Sequence, residues 1–326
     1  MRKKLKSAKI VQQISAILAV VFVFQVFTAF YTDNNKTQET KKITDTYSFV
    51  SEPKDTITVA SVGNSDLYSG FVPLDFWKET GCTSAVYASA RQSIAKSTEL
   101  MRTSYATQKP KLVIIETDMF YDKNPANPTT VKESKRLKDL IQKIKIKHLS
   151  EDLNSVKTGI GIPADDKNLT LQQTHGYRFS TKICKIKAVD YMAYTDYVEH
   201  MTAENTAAAD ELINLAKKNG SQVLLVEMPS ITSWNYERHN GVAEYAQSRG
   251  VKFLDLNLAY DDMGMDMTTC FRDKGNHLNY FGAKKATAYI AKYVAENYSL
   301  TETTDNTVKN QWNNTYTAFI AMKHQA

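Results

Sequence analysis

Ile57-Thr58-Val59-Ala60-Ser61-Val62-Gly63-Asn64-Ser65-Asp66 is a short apolar run closed by a polar turn. Small and β-branched residues make Ile57 to Val62 a strand apolar enough for burial on both faces. Gly63-Asn64-Ser65 then reads as the turn that leads into a helix. Four similar runs follow, at Ala85 to Tyr87, Leu112 to Ile115, Val223 to Val226 and Phe253 to Leu256. Helical patterns separate them: Pro73 to Thr80 with Gly81 as stop, Ser93 to Thr107, Asp190 to Asn219 stopped by Gly220, and Tyr236 to Arg249 stopped by Gly250; Ala283 to Asn297 follows the last strand. Strand and helix in alternation predict an α/β fold with a mostly parallel five-stranded sheet covered on both sides. Chemistry in such sheets belongs beyond the carboxyl ends of the strands.

The chain has 326 residues and a formal charge of +6. Arg2, Lys3, Lys4, Lys6 and Lys9 supply most of that excess, since no acid precedes Asp33 and the remainder holds 36 bases against 35 acids. A near-neutral body with 42% hydrophobic and 23% charged residues excludes a disordered or collagen-like chain and argues against nucleic acid as partner. The apolar segment 10–31 follows directly on the basic flank 1–9, and its 21 residues from Ile10 to Phe30 suffice for a span of about 30 Å. The positive-inside rule puts the flank in the cytoplasm and the rest outside the cell. No small-x-small site precedes a cut, which favours an uncleaved anchor over a signal peptide. Residues 32–55 read as a polar linker, 56–300 as the folded domain and 301–326 as a polar tail without assigned function. Residues 119–189 form an insertion with a basic amphipathic stretch at 135–147, where the positive charge of the domain gathers. Cys82, Cys184 and Cys270 are too scattered for a disulfide framework or zinc site.

Ser65 sits where a nucleophilic serine is exposed at a sheet edge beside backbone N–H groups. The loop Arg272-Asp273-Lys274-Gly275-Asn276-His277-Leu278-Asn279 offers one histidine immediately before the last helix. His277 is the candidate base for Ser65, and a carboxylate would hold its second ring nitrogen.

These two blocks resemble the SGNH/GDSL hydrolase family over roughly residues 56 to 297. The resemblance implies a three-layer α/β/α sandwich and a serine esterase. Ser65 matches the family's nucleophile and His277 its base, while the acid usually placed three residues before the histidine is Lys274 here, with Asp273 four before. Within the family the chain is similar to the membrane-anchored bacterial branch of DltD-like and alginate-acetylation proteins. That likeness implies an extracytoplasmic, membrane-tethered esterase or acyltransferase acting on acyl esters of a cell-surface glycan or teichoic acid. A non-catalytic protein of the same fold, binding polymer or a membrane O-acyltransferase, is the alternative. Where the family has oxyanion-hole groups, this chain has Ser89, Ala90 and Arg91 after the second strand and Asp118 after the third. A backbone donor from Ser89 or Ala90 remains available, whereas an ionised Asp118 is expected to pair with Arg91. Asn64, Asp66, Trp234, Tyr236, Arg238 and Asn279 are candidate substrate contacts, the aromatic and arginine groups for stacking or phosphate. The scattered His148, His175, His200 and His239 make no metal pattern, and no nucleotide-binding fingerprint is present, so neither metal nor other cofactor is expected.

Overall fold

The computed structural model describes residues 52–123, 173–187 and 189–323. Five strands form its centre: β1 Val59–Gly63, β2 Ser84–Ala88, β3 Leu112–Glu116, β4 Gln222–Glu227 and β5 Lys252–Asp255. All four pairings are parallel and the order is β2-β1-β3-β4-β5. Every residue of β1, β2 and β3 is buried, which is why these runs are mainly apolar and do not alternate, with Ser61, Ser84 and Glu116 as their buried polar residues. The strand order reverses between β1 and β3, and the crevice at such a reversal is where ligands of open parallel sheets bind.

Helices cover both faces. On one side lie α1 Ser65–Gly70, α2 Pro73–Thr80, α6 Tyr280–Asn297 and α7 Asn306–Lys323, packed on one another. The helices α3 Ile94–Ser104 and α4 Ala203–Lys218 pack together, and α5 Tyr236–Ser248 lies on β5. The sandwich follows the pattern read from the sequence, with two corrections. The expected helix from Asp190 begins only at Ala203, behind a Thr202 cap that accepts from the Asn205 N–H. Residues 190–202 carry several aromatic and β-branched side chains, which are indifferent helix formers. Their backbone finds partners on α5 instead: Asn240 Nδ2 donates to the carbonyls of Thr195 and Tyr197, and Glu199 N–H to that of Glu237.

The second correction concerns the tail. Residues 306–323 form α7, whose Trp312 and Phe319 are buried. Trp312 stacks on His175 at 3.8 Å and tilts against Trp77 at 5.5 Å. His175 Nδ1 in turn meets Glu52 Oε1 at 2.5 Å, so the start of the domain and its last helix are held at one histidine.

Cys82, Cys184 and Cys270 are free thiols. Among the described residues no helix is long and apolar enough to cross a membrane. The segment 10–31 and the basic stretch 135–147 lie outside the described residues.

Candidate active site

β1 ends against β3, and its last residue has no room for a side chain. A Cβ on Gly63 would stand 2.5 Å from Glu116 Cβ and 3.0 Å from Leu67 Cβ. That approach lets the chain turn directly into α1. Asn64 caps α1, its Oδ1 accepting from Asp66 N–H, and Ser65 is the first helical residue. The Ser65 hydroxyl, part-exposed, makes no hydrogen bond to a described residue.

His277 comes from the loop before α6, and Gly275 shapes that loop with φ +103°, a conformation that a side chain strains. The consequence is the close return of Asp273. His277 Nδ1 lies 2.5 Å from Asp273 Oδ2, and Asp273 Oδ1 accepts from the N–H groups of Asn276 and His277. Burial works against charge on Asp273, but the hydrogen bonds from the His277 ring and backbone outweigh it and hold the carboxyl below the ordinary range. The four-residue spacing therefore still brings acid and histidine together. The other ring nitrogen, Nε2, faces Asp66 Oδ1 at 3.6 Å. His277 thus stands between two carboxylates, one short contact and one longer.

The floor beneath these groups is acidic. Glu116 ends β3 and is fully buried; its Oε1 accepts from Asp118 N–H at 2.7 Å and its Oε2 from Asn64 N–H at 3.3 Å. Glu227 ends β4 and accepts from the Thr117 hydroxyl at 2.6 Å. Burial, then the neighbouring acids, push Glu116, Glu227 and Asp66 well above the carboxylate range. These groups hold protons more tightly than exposed acids do. Asp66, Glu116 and Asp118 each present an atom within 4.8 Å of the others, a separation that admits a metal ion. Glu116 and Asp118 already accept hydrogen bonds within the protein, whereas the buried Asp66 Oδ1 has no hydrogen-bond partner among the described residues; no metal is assigned to the cluster.

Several sequence expectations need correction here. Asp118 does not pair with Arg91, which is exposed in a left-handed turn at φ +53°. Its partners are Asn64 Nδ2 at 2.6 Å and, further off, Arg238 Nη1 at 3.8 Å, a group brought in by α5. Arg238 is otherwise occupied with Glu199, the Ser233 carbonyl and the face of Tyr121. Trp234 is 3% exposed and donates to Asp255 Oδ2, so its ring packs inside the domain and is no sugar platform. Asn279 caps α6 and donates to the carbonyls of Thr269 and Lys182. Asn64 and Asp66 are buried in the scaffold. Ser89 and Ala90 follow directly on Ala88, the register partner of Gly63, and share the edge of Ser65. The Ser89 hydroxyl is taken by Gln92 and Lys96. Tyr236 is half-buried, edge-on to Tyr194.

The sequence reading missed Glu116 and Glu227 as site-forming groups. Their signal was a single acid closing an otherwise apolar strand, in two strands that prove adjacent.

No family model matches the chain, and no curated protein matches its sequence. Solved structures to which the chain is similar include the following three. A protein assigned to the lipolytic G-D-S-L family from Desulfitobacterium hafniense DCB-2 aligns at 11% identity with TM-score 0.38, covering 72% of this chain and 98% of its own. A candidate acylhydrolase from Bacteroides fragilis NCTC 9343 aligns at 15% identity and TM-score 0.37, covering 75% and 90%. A GDSL-like lipase from Bacteroides thetaiotaomicron VPI-5482 aligns at 14% identity and TM-score 0.35, covering 74% and 88%. At these identities and scores the likeness says nothing about activity, which has to be read from the side chains.

Proposed function

We propose that the protein is a serine esterase or acyltransferase, tethered to the membrane by its N-terminal segment, that acts outside the cell on acyl esters of a surface glycan or teichoic acid. The observation that supports this most is the Asp273–His277 contact, placed on the same sheet edge as a serine at a strand-to-helix turn whose hydroxyl makes no hydrogen bond to a described residue. In this reading Ser65 Oγ attacks the acyl carbonyl while its proton passes to His277 Nε2, which first leaves the side of Asp66. The tetrahedral intermediate collapses, the alcohol departs with the proton from His277, and the acyl group stays on Ser65 as an ester. Water completes a hydrolysis; a polymer hydroxyl completes a transfer. Backbone N–H groups at Ser65 and at the 89–90 turn are the oxyanion donors of this scheme.

One observation favours a second reading, a non-catalytic protein of the same fold that binds polymer or a membrane O-acyltransferase: Nε2 of His277 faces Asp66, and no hydrogen bond joins it to Ser65. A fluorophosphonate probe separates the two. Covalent labelling of the wild type that is lost in Ser65→Ala and strongly slowed in His277→Ala supports the enzyme. A folded wild type that neither labels nor hydrolyses esters leaves the binding protein.

A further inference from the structure

The sequence places the positive charge of the domain on residues 135–147, yet a second basic face stands beside the candidate site. Residues 178–187 run alongside the loop that carries His277. Cys184 N–H donates to the Phe271 carbonyl, Ile186 N–H to Met267, Tyr280 N–H to Ser180, and Asn279 Nδ2 to the Lys182 carbonyl. A Cβ on Gly275 would meet Ile186 Cδ1 at 3.4 Å, which ties this segment to the Asp273–His277 turn itself.

Arg178, Lys182, Lys185 and Lys187 come from the segment, and Arg272 and Lys274 from the loop. None of the six forms an ion pair with a described residue. The acid within these stretches, Asp273, is engaged by His277. Two of the cations converge. Arg178 Cζ lies 4.6 Å and Arg272 Cζ 5.8 Å from the centre of the Tyr68 ring, and Tyr68 is one helical turn beyond Ser65 in α1. Like charges gathered on one ring repel unless an anion lies between them. Arg272 also acts on Asp66, favouring its charged form, so its field reaches the acid that faces His277.

We infer that this face binds a polyanionic chain, with Arg178 and Arg272 gripping one phosphate or carboxylate group at Tyr68 and the lysines holding the groups that follow. The inference rests on the proposed ester chemistry and narrows its substrate to an anionic surface polymer. A single small anion would need only the arginine pair; cations strung along ten residues of chain suit a ligand with repeated charge. Arginine forks match phosphate and carboxylate oxygens, and lysines add point charges from any direction. A membrane surface fits less well, because the segment is no amphipathic helix and sets one exposed isoleucine, Ile183, among its lysines.

The test is equilibrium binding of the full-length chain in neutral detergent, read without turnover so that an inactive enzyme still reports on this face. The probes are polyphosphate, polygalacturonate, neutral dextran and phosphatidylglycerol vesicles. The expected result is binding of polyphosphate or polygalacturonate, but not dextran, that weakens as salt rises. The triple variant Lys182→Glu, Lys185→Glu, Lys187→Glu should weaken it about tenfold or more. A control with the same charge change, Lys111→Glu, Lys218→Glu, Lys252→Glu, lies at the opposite end of the strands and should bind as the wild type does. Melting temperatures of both triple variants verify folding. Undiminished polyanion binding by the first triple variant, or no polyanion binding by the wild type, overturns the inference. Vesicle binding that needs the same lysines while both soluble polyanions fail replaces it with a membrane contact.

Discussion

The floor and the wall of the candidate site carry opposite charge and treat it in opposite ways. The floor is buried Asp66, Glu116 and Glu227 with half-buried Asp118, at the carboxyl ends of β1, β3 and β4; Glu116 accepts from the backbone N–H groups of Asn64 and Asp118, and Glu227 from the Thr117 hydroxyl. The wall is Arg178, Lys182, Lys185, Lys187, Arg272 and Lys274, which reach solvent without an acid partner among the described residues. Burial is the difference. A buried carboxylate loses hydration, so it binds a proton or collects N–H donors and thereby fixes the turn that presents Ser65. An exposed cation keeps its hydration and its freedom, and remains available to a ligand. His277 stands at the junction, with Asp66 of the floor on one nitrogen and Asp273 of the loop on the other.

The comparison breaks most sharply at that junction. If Asp273 orients the base, Asp273→Asn should lower ester turnover about a thousandfold with the fold intact, since the wrong tautomer of the imidazole is then favoured. Steady-state kinetics with a small ester, alongside circular dichroism, measure it; wild-type rates would leave Asp273 a loop acid only.

Next in size is Gly63→Ala. Its methyl group would press on Glu116 Cβ and Leu67 Cβ, disturbing both the acidic floor and the start of α1. Overpacking of this kind costs about 1–3 kcal/mol, which urea unfolding would detect. A neutral result would mean that β1 and β3 separate more easily than this packing allows.

The smallest effect concerns the protons of the floor. Glu227 is held above the ordinary carboxylate range by burial and then by Glu116, and the folded protein therefore binds its proton more tightly than the unfolded chain does. The stability it contributes is present below the unfolded value, at about pH 4, and declines as pH rises from there toward the folded value. Glu227→Gln removes the titration while keeping the shape of the protonated acid. The melting temperature of the variant should fall less steeply between mildly acidic and neutral pH than that of the wild type. Parallel curves would show that Glu227 does not titrate differently in the two states.

Much of this architecture was legible from local pattern. The strand runs, the Pro73 and Gly81 limits of α2 and the two ends of the site depend on neighbours along the chain, as do turn chemistry and helix stops. The Asp273 return was partly legible, because Gly275 marks a backbone that can take φ +103°. The partner of Asp118 was not. Arg91 is nearer in sequence, but Arg238 is what α5 delivers, and that depends on how α5 docks at the end of β4. Trp234 looked like a sugar platform by residue type and proved to be core because Asp255, on the next strand, takes its N–H.

The sequence by itself determined the parallel α/β sandwich, the serine turn and the histidine loop, because hydrophobic period, glycine and proline act within a few residues. Tertiary structure alone decided which acids share the floor, that the tail closes on His175 through Trp312, and that residues 178–187 bring their cations to the site. Those outcomes depend on contacts between segments far apart in the chain, where pairing is set by packing and burial.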